Sequence, residues 1–301
     1  MITRRKFMLS TAVLAAHEFP LRAALAENLK PNDKFPFEIT DVTLENALQK
    51  AKEMSSSGMV AVISASRDRL ELLKEPFNYA ASNPSFDLKA TLGKASEMSH
   101  PADLEKFLND GNEEVCKRLK EQMSSPDYKP MKMFETDKAG KMVELPPDQV
   151  RQKLLAGCDG KKLSSWESWP EETEQETPSE IFVLSLFGDS RTGTVIKIPT
   201  DDWTTIPAHL RWGGWNEHPH PEFHVAAWRS WRDRYGAKLM GLTHETLIMH
   251  VEKPPRSRKE AYKLAEEQYL YCSDIVDQGV GSVTNLAAGL LNSKHWYFWW
   301  D

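Results

Sequence analysis

The sequence predicts an α+β protein. Its sheet is mixed or antiparallel and packed with helices, with an aromatic C-terminal strand in the sheet interior. Three observations carry this. Short β-rich runs at Met59–Ser64, Thr194–Ile198, Ala237–Leu242 and Thr246–Val251 are bounded by turn residues. Segments with helical apolar spacing alternate with them and carry cap residues. The chain closes on His295-Trp296-Tyr297-Phe298-Trp299-Trp300-Asp301. That run is aromatic on both alternating faces, as expected of a strand covered on both sides.

Along the chain, residues 27–40 read as an extended lead-in. Asp41–Met54 follows as a helix, with Leu44, Ala47, Leu48, Ala51 and Met54 on one face. Asp41 or Thr43 would cap it, and Ser55-Ser56-Ser57-Gly58 would stop it. Arg67–Lys74 is helical again. His100-Pro101 opens a helix through Asn109, and Asn112-Glu113-Glu114 opens the next, with Val115, Cys116, Leu119 and Met123 inward. Pro126, Pro130, Pro146, Pro147, Pro170 and Pro178 then punctuate residues 124–180. Ser164–Glu180 holds six Glu and no Lys or Arg, so it buries little and repels itself. The stretch reads as a linker or long loop.

Ile181–Phe187 and Thr194–Ile198 flank the turn residues Gly188–Gly193. Pro221-Glu222 begins a helix that Tyr235-Gly236 ends. Ala237–Leu242 and Thr246–Val251 form a hairpin. Ser257-Arg258-Lys259-Glu260 is a capping box for a helix to Cys272, and Ser282 caps another through Leu291. The expected organisation is a signal segment at 1–26, an α/β region at 27–123, a linker at 124–180 and an α+β domain at 181–301.

The N-terminus reads as an address. Arg4-Arg5 precedes a short apolar stretch, and Ala24-Leu25-Ala26 fits small-x-small cleavage. This is a twin-arginine pattern, although His17, Glu18 and Pro20 interrupt it. The expected location is therefore periplasmic or secreted, with the cytoplasm as the alternative. Removing residues 1–26, which carry a net +3, takes the formal charge from −6 to −9. An acidic chain is a poor generic binder of nucleic acid or anionic membrane but suits a basic partner. Cys116, Cys158 and Cys272 are scattered, with no C-x-x-C pairing, and their odd number leaves at least one thiol unpaired within a monomer.

Several C-terminal stretches together resemble a known family. They are Ile206-Pro207, Trp212-Gly213-Gly214-Trp215-Asn216, and His224-Val225-Ala226-Ala227-Trp228-Arg229-Ser230-Trp231. Arg234-Tyr235-Gly236-Ala237, Ala261 and Ala265 before Glu267-Gln268-Tyr269, Asp274–Gly279 and the closing Trp296–Asp301 follow in order. From about Asp202 to Asp301 the chain resembles the bacterial domain-of-unknown-function family 4253. The resemblance implies a fold and little chemistry. It also implies a cytoplasmic setting, from which the export signal departs.

Glu217-His218-Pro219-His220-Pro221-Glu222-Phe223-His224 is the densest run of chemistry. His220 and His224 lie one helical turn apart, a span suited to chelation. His218 or Glu222 could add a third ligand, as in catalytic zinc sites. A metal-dependent hydrolase on His218, His220 and His224, with Glu222 or Glu217 as base, is thus one reading. His224 also shares a helical face with Trp228, Trp231 and Tyr235, which suits a core histidine.

Eight of the ten tryptophans lie between Trp203 and Trp300. Trp228, Trp231, Trp296 and Trp300 fall on inward positions. Trp212 and Trp215, in a glycine-containing loop, are the expected exposed pair. With Asn216, Glu217, His224 and Arg229 they form a candidate binding face for a protein, or in a second alternative for a glycan. Asp274 and Asp277 suit capping better than acid–base work or calcium. His244-Glu245 with His250 is not H-E-x-x-H, and no G-x-S-x-G, P-loop or dinucleotide fingerprint appears. The favoured expectation is a non-enzymatic, immunity-like protein-binding module.

Overall fold

The computed structural model describes residues 35–56, 58–78, 86–125, 128, 132–136, 141–156, 158, 168–170 and 191–301. The export signal, the Ile181–Phe187 strand, the following turn up to Ser190 and most of the acidic run lie outside them. The chain divides into two compact units, one containing residues 102–164 and the other residues 30–101 with 165–301.

The larger unit is built on a six-stranded mixed sheet. Its strands are β1 (Glu38–Thr43), β2 (Val60–Ser64), β5 (Thr192–Ile198), β6 (Ala237–Leu242), β7 (Thr246–Val251) and β8 (His295–Trp299). Their order across the sheet is β1-β5-β2-β6-β7-β8. Every pairing is antiparallel except β2 with β6, which meet in parallel at Ile63 and Gly241. The predicted α+β class and the β6–β7 hairpin therefore stand.

One face carries helix α1 (Ala47–Met54). Its Ala47 joins Val42, Ile63, Val195 and Ile248 in a buried cluster. The opposite face carries the aromatic core. Met249 pairs with Trp296 and Leu247 with Phe298, so these four share the face that Ile248 turns away from. Trp231 lies on that face, with ring centres 5.6 Å from Trp296 and 5.3 Å from Phe298.

Local chemistry explains the helices around that core. In α7 (Pro221–Tyr235), proline at the first turn lacks only an N–H with no helical partner. Gly236, at φ 60°, closes it by donating to the Arg232 carbonyl at 2.9 Å. α8 (Arg258–Tyr271) begins on the predicted capping box, with Ser257 and Glu260 satisfying each other's backbone N–H. Ser282 caps α9 (Val283–Leu290). Two further helices, α2 (Glu71–Asn78) and α3 (Leu88–Glu97), precede the smaller unit in the chain, and α6 (Ile206–Leu210) follows β5.

Four expectations are corrected. Asp41–Thr43 belong to β1 rather than to a helix start. Their pairing with Thr194, Gly193 and Thr192 outweighs the helical spacing that begins at Leu44. Arg67–Lys74 is helical as expected, but in two pieces, a 3₁₀ turn at Arg67–Arg69 and then α2 from Glu71. The aromatic strand β8 lies at the edge of the sheet, not in its interior. Its Trp296 and Phe298 are buried, whereas Tyr297 on the other face is exposed. Its end is nonetheless covered, because the Cys272 thiol donates to the Trp299 carbonyl at 3.1 Å.

The fourth concerns the smaller unit, described by itself. Its α4 (Ala102–Ser124) is one helix of 23 residues running through Gly111, where two were expected. A hairpin of β3 (Phe134–Thr136) and β4 (Met142–Glu144) and helix α5 (Pro147–Ala156) follow within the stretch read as linker. Leu119, Met123, Val150 and Leu154 form its core, and Cys116 is bonded to Cys158. Pro146 and Pro147 stand at the start of α5 instead of marking an absence of structure.

Candidate functional site

The run from Trp212 to His224 crosses from α6 to α7 as a tight loop. Gly213 (φ 101°) and Gly214 (φ 79°) adopt backbone angles that suit glycine. Gly214 donates to the carbonyls of His218 and Pro219 at 3.0 and 2.9 Å, and the His218 N–H donates to Trp215 at 2.8 Å. The loop thereby folds onto the core.

Trp212, expected to be exposed, is 2% exposed and donates its indole N–H to the Thr243 carbonyl at 2.8 Å. Apolar burial with a satisfied N–H outweighs display at the surface. A glycan cannot stack on it. Trp215 is half-buried and lies flat on His244, with ring centres 4.5 Å apart and planes 8° apart. Asn216 is exposed and donates to the Asp301 carbonyl at 2.9 Å. Glu217 accepts from the Ser273 hydroxyl. Asp274 accepts from the Asp301 N–H at 2.9 Å, and Asp277 accepts from Tyr269 at 3.1 Å. Asn216 and Glu217, next to Trp215 in the chain, are thus bonded to Asp301 and Ser273, and Asp301 to Asp274. Arg229 stands apart from them, 3.8 Å from Asp202.

The histidines separate into two kinds. His218 and His224 are 3% and 0% exposed, with ring centres 4.7 Å apart. His220 is exposed at the helix cap beside Gly214. Among the described residues no three His, Cys, Asp or Glu side chains are grouped to hold a metal ion. The structure therefore brings two of the three proposed ligands together and leaves His220 outside. Its place as N-cap turns it to the solvent side of the loop, while His224 one turn on points into the core.

His224 belongs to a relay that sequence spacing did not reveal. Its Nδ1 meets the Tyr271 hydroxyl at 2.5 Å, and that hydroxyl accepts from Trp228 at 3.1 Å. With Tyr271 donating onward, Nδ1 is the acceptor of a neutral imidazole. Burial pushes His224 well below its usual 6.5, against the pull of the Pro219 carbonyl, and His220 and His100 add to the downward push. Burial likewise pushes His218 well below that value, with His224 and His244 adding to it.

A second buried cluster was also missed. Glu267, 8% exposed, accepts from Trp231 at 2.5 Å and from both terminal nitrogens of Arg234, and lies 3.1 Å from His100. Burial alone would raise its pKa. Bonds and charge from His100 and Arg234 win and hold it at about 2. The four residues come from three separate parts of the chain, so no local spacing announces them.

Residues 194–301 match the family described as Domain of unknown function, DUF4253. No curated protein and no solved structure matches the chain. The DUF4253 segment begins within β5, slightly before the stretch that carries the sequence resemblance. It supplies most of β5 and all of β6, β7 and β8, but β2 lies between β5 and β6 in the sheet. The segment alone would leave β5 without either neighbour. Residues 194–301 expressed without the preceding chain are accordingly expected to show no cooperative thermal transition, whereas the whole chain shows one. A cooperative transition of the isolated segment in a calorimeter would refute this.

No helix among the described residues is long and apolar enough to cross a membrane.

Proposed function

We propose that the protein is a non-enzymatic binding module whose contact surface is the Trp215–His244 face, and that its partner is a basic protein. One observation carries the reading. The loop that concentrates the candidate chemistry encloses Trp212, His218 and His224, and leaves Trp215 half-buried on His244 and followed by Asn216 and Glu217, which bond Asp301 and Ser273. A half-buried tryptophan supplies contact area at little entropic cost, and the Glu217 carboxylate two residues on attracts a cationic partner. The formal charge of −6 acts in the same sense at longer range. Neutralisation of a toxin, as by immunity proteins, is the biological role that fits such a surface. Export through the twin-arginine route would place the encounter in the periplasm.

The test is quantitative capture under native conditions by the full chain and by Trp215→Ala and Glu217→Lys variants. The expected result is one basic protein bound at a fixed ratio. Its binding weakens about tenfold or more in each variant and falls as salt rises. Recovery of no such protein, or equal capture by both variants, would overturn the proposal.

A further inference from the structure

We propose that the Cys116–Cys158 bond is a thiol-exchange site: a small dithiol reaches Cys158 through a cleft on α4, opens the bond and releases the fold of the smaller unit, while the larger unit keeps its own. The proposal is independent of the Trp215 face.

The cleft, of about 430 Å³, is lined by both cysteines, by Lys117 and Lys120, and by Glu113 and Glu121. Lys120 stands one turn beyond Cys116 in α4, so the two share a helical face. Cys116 is 7% exposed and Cys158 is half-buried, which makes Cys158 the sulfur open to attack. A thiolate of the reductant bonds to Cys158 Sγ, the S–S bond breaks, and the Cys116 sulfur leaves as a thiolate that takes a proton from water. The second thiolate of the same reductant then attacks its partner sulfur in the mixed disulfide, and Cys158 leaves in turn. The protein gains two thiols, and the two thiols of the reductant become one disulfide. Exposed Lys117 and Lys120 favour both the incoming thiolate and the departing Cys116.

Opening the bond matters because the core it supports is small. Leu119 and Met123 of α4 pack with Val150 and Leu154 of α5. Phe107, Leu108, Phe134, Met142 and Val143 of the same unit remain exposed. A single core in a unit below about 70 residues is marginal without a staple. The bond joins positions 42 apart and ties the middle of α4 to the chain just beyond α5. Restricting the open chain in this way favours the folded unit by roughly a thousandfold. Its loss is enough to reverse a marginal balance. The cysteine of the larger unit, Cys272, is a free thiol and 1% exposed, so reduction leaves that unit unchanged. The smaller unit is thus folded where thiols are oxidised and open where they are kept reduced.

The full chain should be treated with dithiothreitol without denaturant, labelled with iodoacetamide and followed by hydrogen exchange with mass spectrometry. The expected result is labelling of Cys116 and Cys158 but not of Cys272. Protection across Leu119–Leu154 falls about tenfold or more, while that of Thr246–Val251 is kept, and reoxidation restores the first. Joint Cys116→Ser and Cys158→Ser substitution should show the same loss with no reductant present. Joint Lys117→Glu and Lys120→Glu substitution should slow reduction about threefold or more. A bond that resists dithiothreitol until denaturant is added is a sealed staple and overturns the proposal. So does full protection of α4 and α5 after the bond has opened or in the serine variant, an unslowed reduction in the glutamate variant, or labelling of Cys272 in the same step. If the serine variant does not fold at all, the reductant titration of the wild type decides, because it begins from the folded chain.

Discussion

Gly213→Ala is expected to cost the larger unit about 2–5 kcal/mol, overpacking and backbone strain together. A Cβ at Gly213 would lie 2.0 Å from the Pro219 carbonyl oxygen and 2.7 Å from His224 Nε2. Neither group can retreat cheaply. The Pro219 carbonyl is fixed by the Gly214 N–H, and His224 is fixed by Tyr271. The φ of 101° adds backbone strain for any residue with a Cβ. Gly214→Ala is the matched control. Its Cβ would meet His220 Nδ1 at 3.0 Å, the far end of an exposed side chain that can turn aside. That variant should lose only about 1–2 kcal/mol, from φ alone. Urea midpoints at unchanged slope measure both. Equal midpoints would show that the loop gives way without disturbing the core.

Glu267→Gln should be as damaging, for an electrostatic reason. The carboxylate holds Arg234, Trp231 and His100 at once. An amide keeps the shape but removes the charge and brings two donors of its own to a site already full of donors. Removing one partner of a buried charged pair costs about 3–5 kcal/mol. The same group sets an acid limit. Its folded pKa of about 2 lies below the ordinary 4.5, so its contribution is fully present above 4.5 and disappears as pH falls toward 2. The shift corresponds to on the order of 3 kcal/mol. Denaturant midpoints of the wild type should therefore drop between those two pH values more steeply than those of Glu267→Gln. Parallel pH profiles would mean that the carboxylate is not the controlling group.

Legibility in the sequence followed the range of the forces. α7, α8 and α9 were readable because Pro221, Gly236, Ser257, Glu260 and Ser282 act within one turn of where they stand. The β6–β7 hairpin was readable for the same reason. β1 was not, because its pairing with β5 joins residues some 150 positions apart in the chain. α4 runs through Gly111, where glycine costs only about 1 kcal/mol and the helix core from Leu104 to Met123 outweighs it.

That Trp212–Pro219 forms a glycine-containing loop ahead of α7 was legible, but its inside and outside were partly exchanged. Trp212 looked exposed because it neighbours glycines, yet its burial depends on Thr243 and Trp300, which are distant in sequence. His224 as a core histidine was visible from its spacing to Trp228 and Trp231. His244 appeared only as part of a failed metal motif, and nothing local announced that it would lie under Trp215.

The strand order has a consequence for how quickly the chain reaches this state. β6, β7 and β8 can assemble among themselves, with β6 and β7 joined by a short turn. β2 must instead find β5 across a long intervening chain, and the contact that seals it, Thr194 to the Ala65 carbonyl at 2.7 Å, spans 129 positions. Each doubling of such a loop adds only about 0.6 kcal/mol to closure, yet the cost falls before any pairing repays it. The residues between include the smaller unit, whose own core forms from chain neighbours. If that unit condenses first, it shortens the search. The last event in refolding is then the entry of β2 between β5 and β6. Protection of the Ile63 amide against hydrogen exchange should accordingly lag behind that of Ile248.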